Sequence, residues 1–527
     1  MTTAAQKTSA GKKEQETILL VNPPHFEKQK AGEGEYVSPG IVLIGTVLKN
    51  AGYEVKLIDG SLDADYQDDF FEILKDRAPK VIGFSVMTSQ VTRAYELTQR
   101  AKAIDPDIKI VWGGFHPTIF PEQTIADPNI DYVVVGEGIN VIVPLVQYIL
   151  GENKNIADVP GIYYRDSNST IRHNDKPPLA QFEQIPDIDW DLYDQACLEQ
   201  AMGKNLLREP ARVLPIVAGL GCNFRCTFCF NAIFKIPHRR MSAERIYANM
   251  KRMKEQYGLN EIIFYDENFF ADKDRILRLI ELLEQEPLDL KFFSTMRASD
   301  VKRKHYQGDF FQRLRQVGGY NIGIGAESGN QNTLDRLKKG IKVQDIIAMA
   351  KVGRDNDIIM TFSFMAGLPG EQIEEVFDTF DLIRKIKAID SHHFIIGPQI
   401  FRPYPGSKLF DEAVKRGLQI PDTLKGWTDN RMITYLTVVD KNFLPWISNI
   451  DTFERIMRSY NIGYLARLDV LQQYFYYEYI KNEHLRKISD RFIEFVVKLT
   501  KWRLEKRHMK HMIEAPISKY LESSYFS

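Results

Sequence analysis

Twice along this chain, short β-branched runs alternate with stretches of helical periodicity, and that alternation leaves few architectures open. The first set of apolar runs is TILLVNPP, YEVKLID, KVIGFSV, IKIVWGG and DYVVVGEG. Between them lie amphipathic stretches such as SPGIVLIGTVLKNAG, where Ser38 and Pro39 suit the cap and first turn of a helix and Gly52 its stop. Such alternation implies right-handed βαβ crossovers and an open parallel sheet. Residues 15–155 are therefore expected to form a doubly wound domain whose ligand sits outside the carboxyl ends of the strands. Small and polar residues fall at those ends: Ser85 and Thr88, Gly113 and Gly114, and Gly136-Glu137-Gly138.

A connector, 156–208, follows. GIYYRDSNSTIRHN reads as a hairpin with a Ser/Asn turn, and DKPPLAQFEQIPDIDWDLYD is too rich in proline and aspartate for a helix. The alternation restarts over 209–430, with strands expected at VLPIVAGLG, EIIFYDEN, LKFFSTMRA, YNIGIGAES, IIMTFSFMAGLPG and HHFIIGPQIFRPYPG. Repeats of this kind suggest a (β/α)6 partial barrel with its function at the carboxyl ends of its strands. Residues 431–527 read as a helical region, aromatic over 456–480 and basic over 486–510. The fold class is thus α/β: a Rossmann-like or flavodoxin-like doubly wound sheet, a partial barrel, then helices. The aromatic stretch reads first as packing, with an apolar substrate wall as its functional version. The basic stretch reads as a solvated face, with attraction to carboxylates or an anionic membrane as its functional version.

At 527 residues and 44% hydrophobic content the chain suits several globular domains. A formal net charge of -1 gives no global field for nucleic acid. The polar residues 1–14 read as a disordered tail without the apolar core of an export signal, and no apolar run is long enough to span a bilayer. Four cysteines are too few for a disulfide framework, so the expectation is a cytoplasmic protein, with membrane association left open by the basic stretch.

Three of those cysteines, Cys222, Cys226 and Cys229, lie together in LGCNFRCTFCF, directly after the first expected barrel strand. Thiolates are soft ligands suited to zinc or to iron–sulfur clusters. A structural zinc site needs four protein ligands, and His238 could complete a Cys3His set. Three cysteines without a fourth also match a cluster with one open iron. Cys197, upstream, reads as an inert thiol.

C-x3-C-x2-C with an aromatic, Phe228, before its last cysteine resembles the signature of radical S-adenosylmethionine (SAM) enzymes. The resemblance implies a [4Fe-4S] cluster on Cys222, Cys226 and Cys229 whose open iron chelates SAM, and a deoxyadenosyl radical that abstracts hydrogen from carbon. It further places Asp266 and Glu267 of FYDEN toward the methionine amino group, although the family's usual Gly-Glu pair is absent. Arg297 faces the methionine carboxylate, Glu327 and Ser328 of GIGAESG face ribose and methionine, and Gly367 of AGLPGE lies beside adenine. Tyr404 lies in RPYPGS, a sixth-strand motif of the cobalamin-linked branch. Tyr265, Tyr320 and Tyr404 could relay protons or pack on adenine.

The first domain resembles the cobalamin-binding domain of that branch. This implies that Ser85 and Thr88 line the nucleotide pocket, that Gly113 and Gly114 admit the tail, and that Gly136 and Glu137 face a phosphate or ribose. His116 lies in the same pocket, as a hydrogen-bonding loop residue rather than a cobalt ligand. The Asp-x-His-x-x-Gly motif of other cobalamin proteins is absent. In whole-chain order, including the DWDLYD connector, the sequence resembles the anaerobic magnesium-protoporphyrin ester cyclase group. That implies a hydrophobic, tetrapyrrole-like substrate, an electron donor such as ferredoxin or flavodoxin, and hydroxylation of an unactivated C–H such as a bacteriochlorophyllide ring methyl. The alternative reaction is cobalamin-dependent C-methylation, and the rival of a different class is a zinc-stabilised binding protein.

Overall fold

The computed structural model describes residues 16–25, 37–203, 205, 207, 209–234, 236–302, 306–428, 444–460 and 483–507. The tail 1–14 lies outside them, as do most of the aromatic stretch, 461–480, and the end of the basic one, 508–510. The chain divides into two compact units: Met1–Gly221 with Pro237–Ser294 and Ile420–Tyr435, and Cys222–Ile236 with Thr295–Gln419 and Leu436–Ser527.

In the first unit, β1 (Thr17–Asn22), β2 (Glu54–Asp59), β3 (Val81–Ser85), β4 (Lys109–Gly113) and β5 (Tyr132–Val134) are the five expected strands. They pair in parallel in the order β2-β1-β3-β4-β5. Every residue of β1 is buried, as an unbroken apolar run between two helical layers requires. The helix Pro39–Asn50 starts at the expected Ser38-Pro39 step, although the Ser38 side chain makes no capping bond. This is the flavodoxin-type order, whose crevice opens between β1 and β3.

The hairpin of the connector, β6 (Ile162–Arg165) and β7 (Ile171–His173), adds antiparallel to β5, so this sheet runs well past residue 155. Arg165 explains the attachment. Its guanidinium donates to the carbonyls of Ile125, Asp127 (3.1 Å), Pro128 (3.2 Å) and Ile130 (2.6 Å), all just before β5. Residues 420–428, read from sequence as the end of the barrel, also belong here. Leu424 and Trp427 sit in one apolar core with Phe84, Trp112 and Val133.

The second alternation gives β8 (Val213–Ile216), the short β9 (Gly219–Leu220) and β10 (Arg239–Arg240), β11 (Glu261–Phe264), β12 (Lys291–Met296), β13 (Gly319–Glu327), β14 (Ile359–Ala366) and β15 (Phe394–Ile400). Six of these form one sheet in the order β15-β14-β13-β12-β11-β8, which follows the sequence strand by strand. Amphipathic helices such as Ala243–Tyr257 and Lys273–Gln285 connect them, the latter capped by Asp272. Beyond the sheet are the helices Ile450–Tyr460 and Glu483–Glu505. Among the described residues no helix is long and apolar enough to cross a membrane.

Candidate active site

In the second unit the cysteine loop follows β9 and is held by its backbone. The N–H of Cys229 donates to the carbonyl of Cys226 at 3.1 Å, forming a turn that turns both thiols into one neighbourhood. The N–H of Thr227 donates to Leu337 (3.0 Å), and its carbonyl accepts from Leu409 (3.2 Å). Cys226 is buried, and Cys222 and Cys229 are half-buried. Burial raises the Cys229 thiol, the backbone N–H of Asn231 lowers it, the Cys226 and Cys222 sulfurs raise it again, and Lys339 lowers it. The three sulfurs therefore share one electrostatic environment, in which thiolates repel each other until a cation joins them.

Around the loop, the Arg297 guanidinium lies 3.4 Å over the Phe224 ring and donates to the Lys339 carbonyl. Lys339 Nζ is 2.7 Å from Glu327 Oε1 and 5.7 Å from the Phe228 ring centroid. Tyr404, in the middle of RPYPGS, is half exposed and within electrostatic range of Cys229. Several buried polar atoms here have no hydrogen-bond partner: Thr227 Oγ1, both amide atoms of Asn231, and Arg297 Nε. Orphans of this kind are costly unless a ligand completes them, and they cluster about the three thiols. Soft donors plus unanswered donors and acceptors fit a [4Fe-4S] cluster with SAM. Among the described residues no three His, Cys, Asp or Glu side chains, the three cysteines included, already converge into a metal cage.

Other expected SAM contacts are engaged within the protein. In the first unit Asp266 accepts from the N–H of Ala218 at 2.8 Å and faces Arg275 at 3.4 Å. Burial pushes its carboxyl up to about 7 despite the arginine. It braces the main chain at Ala218, while Glu267 beside it is exposed. In the second unit the fully buried Ser328 hydroxyl meets Thr379 Oγ1 at 3.2 Å and accepts from the Asn330 N–H, closing an internal turn. Gly367 does allow a close approach, at φ +78, but by this chain's own Phe453, whose Cζ would lie 2.8 Å from an added Cβ. Its carbonyl accepts from the Trp446 indole at 2.8 Å.

In the first unit the expected pocket residues divide in the same way. Ser85 ends β3 half-buried and Gly113 ends β4. Gly136, exposed at φ +85, has open space where a Cβ would be. Gly114, at φ +98, is needed because a Cβ would lie 2.7 Å from the Val86 nitrogen, so the close approach is to its own strand exit. Glu137 pairs through Oε1 with Arg239, which also donates to the Ala180 carbonyl, while its Oε2 is buried without a hydrogen-bond partner. His116 is fully buried, 3.3 Å from the Thr88 hydroxyl and packed edge-on to Trp427. Burial pulls its imidazole down to about 3, so it is neutral.

Sequence reading missed a polar network at the carboxyl ends of β1 and β2. Asn22 donates to Asp59 (2.7 Å), Gln90 donates to Asn22 (2.9 Å) and to the Pro23 carbonyl (2.5 Å), and Tyr193 donates to Asp59 (2.7 Å). His25 and Ser89 meet at 2.7 Å beside it. The available signal was a polar residue closing each apolar run, in LLVN and KLID.

Comparison with known proteins finds two family matches along the chain. Residues 31–146 match the B12 binding domain and residues 216–383 the Radical SAM superfamily. An uncharacterized methyltransferase of Pyrococcus horikoshii is 28% identical over 414 residues, 78% of this chain and 86% of that protein. An anaerobic magnesium-protoporphyrin IX monomethyl ester cyclase of Cereibacter sphaeroides is 24% identical over 403 residues, 75% of this chain and 63% of that protein. Among solved structures, the apo form of the cobalamin-dependent S-adenosylmethionine radical enzyme OxsB superimposes with a TM-score of 0.65 at 19% identity, covering 97% of this chain and 75% of that one. The chain joins a B12-binding domain to a radical SAM domain, with a [4Fe-4S] cluster and SAM as the groups of the second and cobalamin as that of the first.

Proposed function

We propose that this chain, a B12-binding domain joined to a radical SAM domain, transfers a methyl group to a carbon atom of a small hydrophobic substrate. The observation that supports this most is the joining of the two domain types in a chain aligned over 78% of its length with a relative named as a methyltransferase. When bound, the cluster supplies an electron to the SAM sulfonium and the corrinoid carries a transferable methyl group.

The chain's own residues then have defined tasks. Cys222, Cys226 and Cys229 hold the cluster. Arg297, with its Nε unanswered, donates to a carboxylate. Glu327, buried beside Lys339, accepts from hydroxyl groups. The Asn22–Asp59–Gln90 network at the β1/β3 crevice meets the polar periphery of the corrinoid, with Ser85 and Gly136 beside it. A one-electron donor of ferredoxin or flavodoxin type completes the reaction.

A second reading, oxygenation of a tetrapyrrole ring substituent, is favoured by the alignment with the cyclase over 75% of this chain. Product mass separates the two. Anaerobically reconstituted enzyme is given reductant, SAM and a panel that includes bacteriochlorophyllides, with and without cobalamin. A cobalamin-dependent gain of one methylene supports methyl transfer. A gain of one oxygen without cobalamin dependence replaces it with the second reading.

A further inference from the structure

We propose that Lys339 is the positioning residue that keeps the Glu327 carboxylate in register with the cysteine loop for SAM. Four contacts made by one short turn, 337–339, carry the inference. The Leu337 carbonyl accepts from Thr227, inside the cysteine loop, at 3.0 Å. The Lys339 carbonyl accepts from Arg297, whose guanidinium stacks 3.4 Å over Phe224 of the same loop. Lys339 Nζ lies 5.7 Å from the ring centroid of Phe228, the residue before the last cysteine, a distance at which a cation is attracted to the ring face. The same Nζ donates to Glu327 Oε1 at 2.7 Å.

Glu327 is held in an unusual state. It ends β13 at φ +62, in the left-handed region that a side chain disfavours, and its side chain is only 9% exposed. Gly325 makes the room: a Cβ there would fall 2.5 Å from Glu327 Oε1 and 2.6 Å from Lys339 Nζ. A buried ion pair is a poor route to stability, because desolvation offsets its attraction, and its best-attested use is to fix register. Here the register fixed is that of a carboxylate against the loop that carries three thiols. With Nζ on Oε1, Oε2 is left to accept from a hydroxyl, which is the chemistry of a ribose. The inference rests on the cluster and SAM being bound at this loop.

The test uses the full-length reconstituted protein in four forms: wild type, Lys339→Met, Glu327→Gln and the double variant. Each is assayed for iron content and for the change in the reduced-cluster EPR signal as SAM is titrated. Lys339→Met and Glu327→Gln are each expected to keep wild-type iron and to weaken SAM binding by about tenfold or more, with the double variant no weaker than the worse single one. Wild-type affinity in Lys339→Met, additive losses in the double variant, or loss of iron in Lys339→Met each overturn the proposal. If Lys339→Met does not fold, Glu327→Gln decides alone: it loses affinity at full iron content, or the proposal falls. A wild-type cluster whose spectrum ignores SAM would sink the SAM site itself, a result distinct from all of these.

Discussion

Asp266 and Arg275 form an ion pair at 3.4 Å with both side chains nearly inaccessible, and each partner also holds the main chain at residue 218. Ala218 gives its N–H to Asp266 and its carbonyl to Arg275, so the pair clasps one residue from both sides, four positions before Cys222. The FYDEN motif thus supplies a brace on the main chain within the first unit.

Removing one partner should therefore cost more than removing both. Arg275→Met leaves a buried carboxyl without its cation and is expected to destabilise the fold by roughly 3–5 kcal/mol. The Asp266→Asn/Arg275→Met double variant should recover part of that loss. Urea denaturation of wild type and the two variants checks the order, and a double variant no more stable than Arg275→Met would show that the unpaired buried carboxyl is not the source of the loss.

Gly367 sits at φ +78 with the Phe453 ring 2.8 Å from an added Cβ. Gly367→Ala combines left-handed strain with a displaced aromatic ring, for an expected loss of about 1–3 kcal/mol. Because the Trp446 indole bonds the Gly367 carbonyl, the tryptophan emission should shift with it. An unshifted spectrum with unchanged stability would mean that the turn relaxes freely.

Glu371 accepts from the N–H groups of Gly367 (2.6 Å) and Leu368 (3.1 Å), yet burial pushes its carboxyl up to about 7. The folded state thus holds a proton that the unfolded chain releases near pH 4.5. The stability this contributes is complete below about pH 4.5 and is lost as pH rises through about 7, on the order of 1–3 kcal/mol. Glu371→Gln should flatten that dependence. Denaturation midpoints at pH 5 and pH 7.5 measure it, and an equally steep slope in the variant would assign the effect elsewhere.

The strands and the thiol loop were legible because their signals are local. Runs such as TILLVN and KVIGFS announce buried parallel strands, and the spacing of Cys222, Cys226 and Cys229 needs only eight positions. What stayed hidden is long-range pairing. Glu137 looked free for a ligand because Arg239, its partner, lies 102 residues on. Gln90 reaches Asn22 across 68 residues, and Lys339 meets Glu327 only after β13 has turned into its left-handed end. Trp427 read as the tail of the barrel, and only packing shows that it belongs to the core around Trp112.

His116 tests that lesson in the first unit. Its ring is wedged 5.3 Å from both Phe120 and Trp427 and is kept neutral by burial. His116→Ala should leave a cavity costing about 2–4 kcal/mol while the absorption spectrum of added cobalamin stays that of wild type. A changed corrinoid spectrum at unchanged stability would make the histidine a ligand contact.

The cysteine loop gives the last prediction. Cys226 is the buried member of the three, between Thr227, whose backbone is bonded at both N–H and carbonyl, and the Arg225 side chain, which donates to the Cys222 and Phe224 carbonyls. These backbone bonds do not depend on the sulfur, so Cys226→Ala should fold, with a far-ultraviolet circular dichroism spectrum like wild type. Wild-type protein, reconstituted without oxygen, should bind about four irons per chain and turn brown. The variant should lose most of that iron and form no 5′-deoxyadenosine from SAM. Chelation of the wild-type cluster should reproduce the variant without a mutation. A colourless wild-type protein holding a single zinc would instead identify the loop as a structural metal site, and a Cys226→Ala protein that still cleaves SAM would remove the cluster from these three thiols.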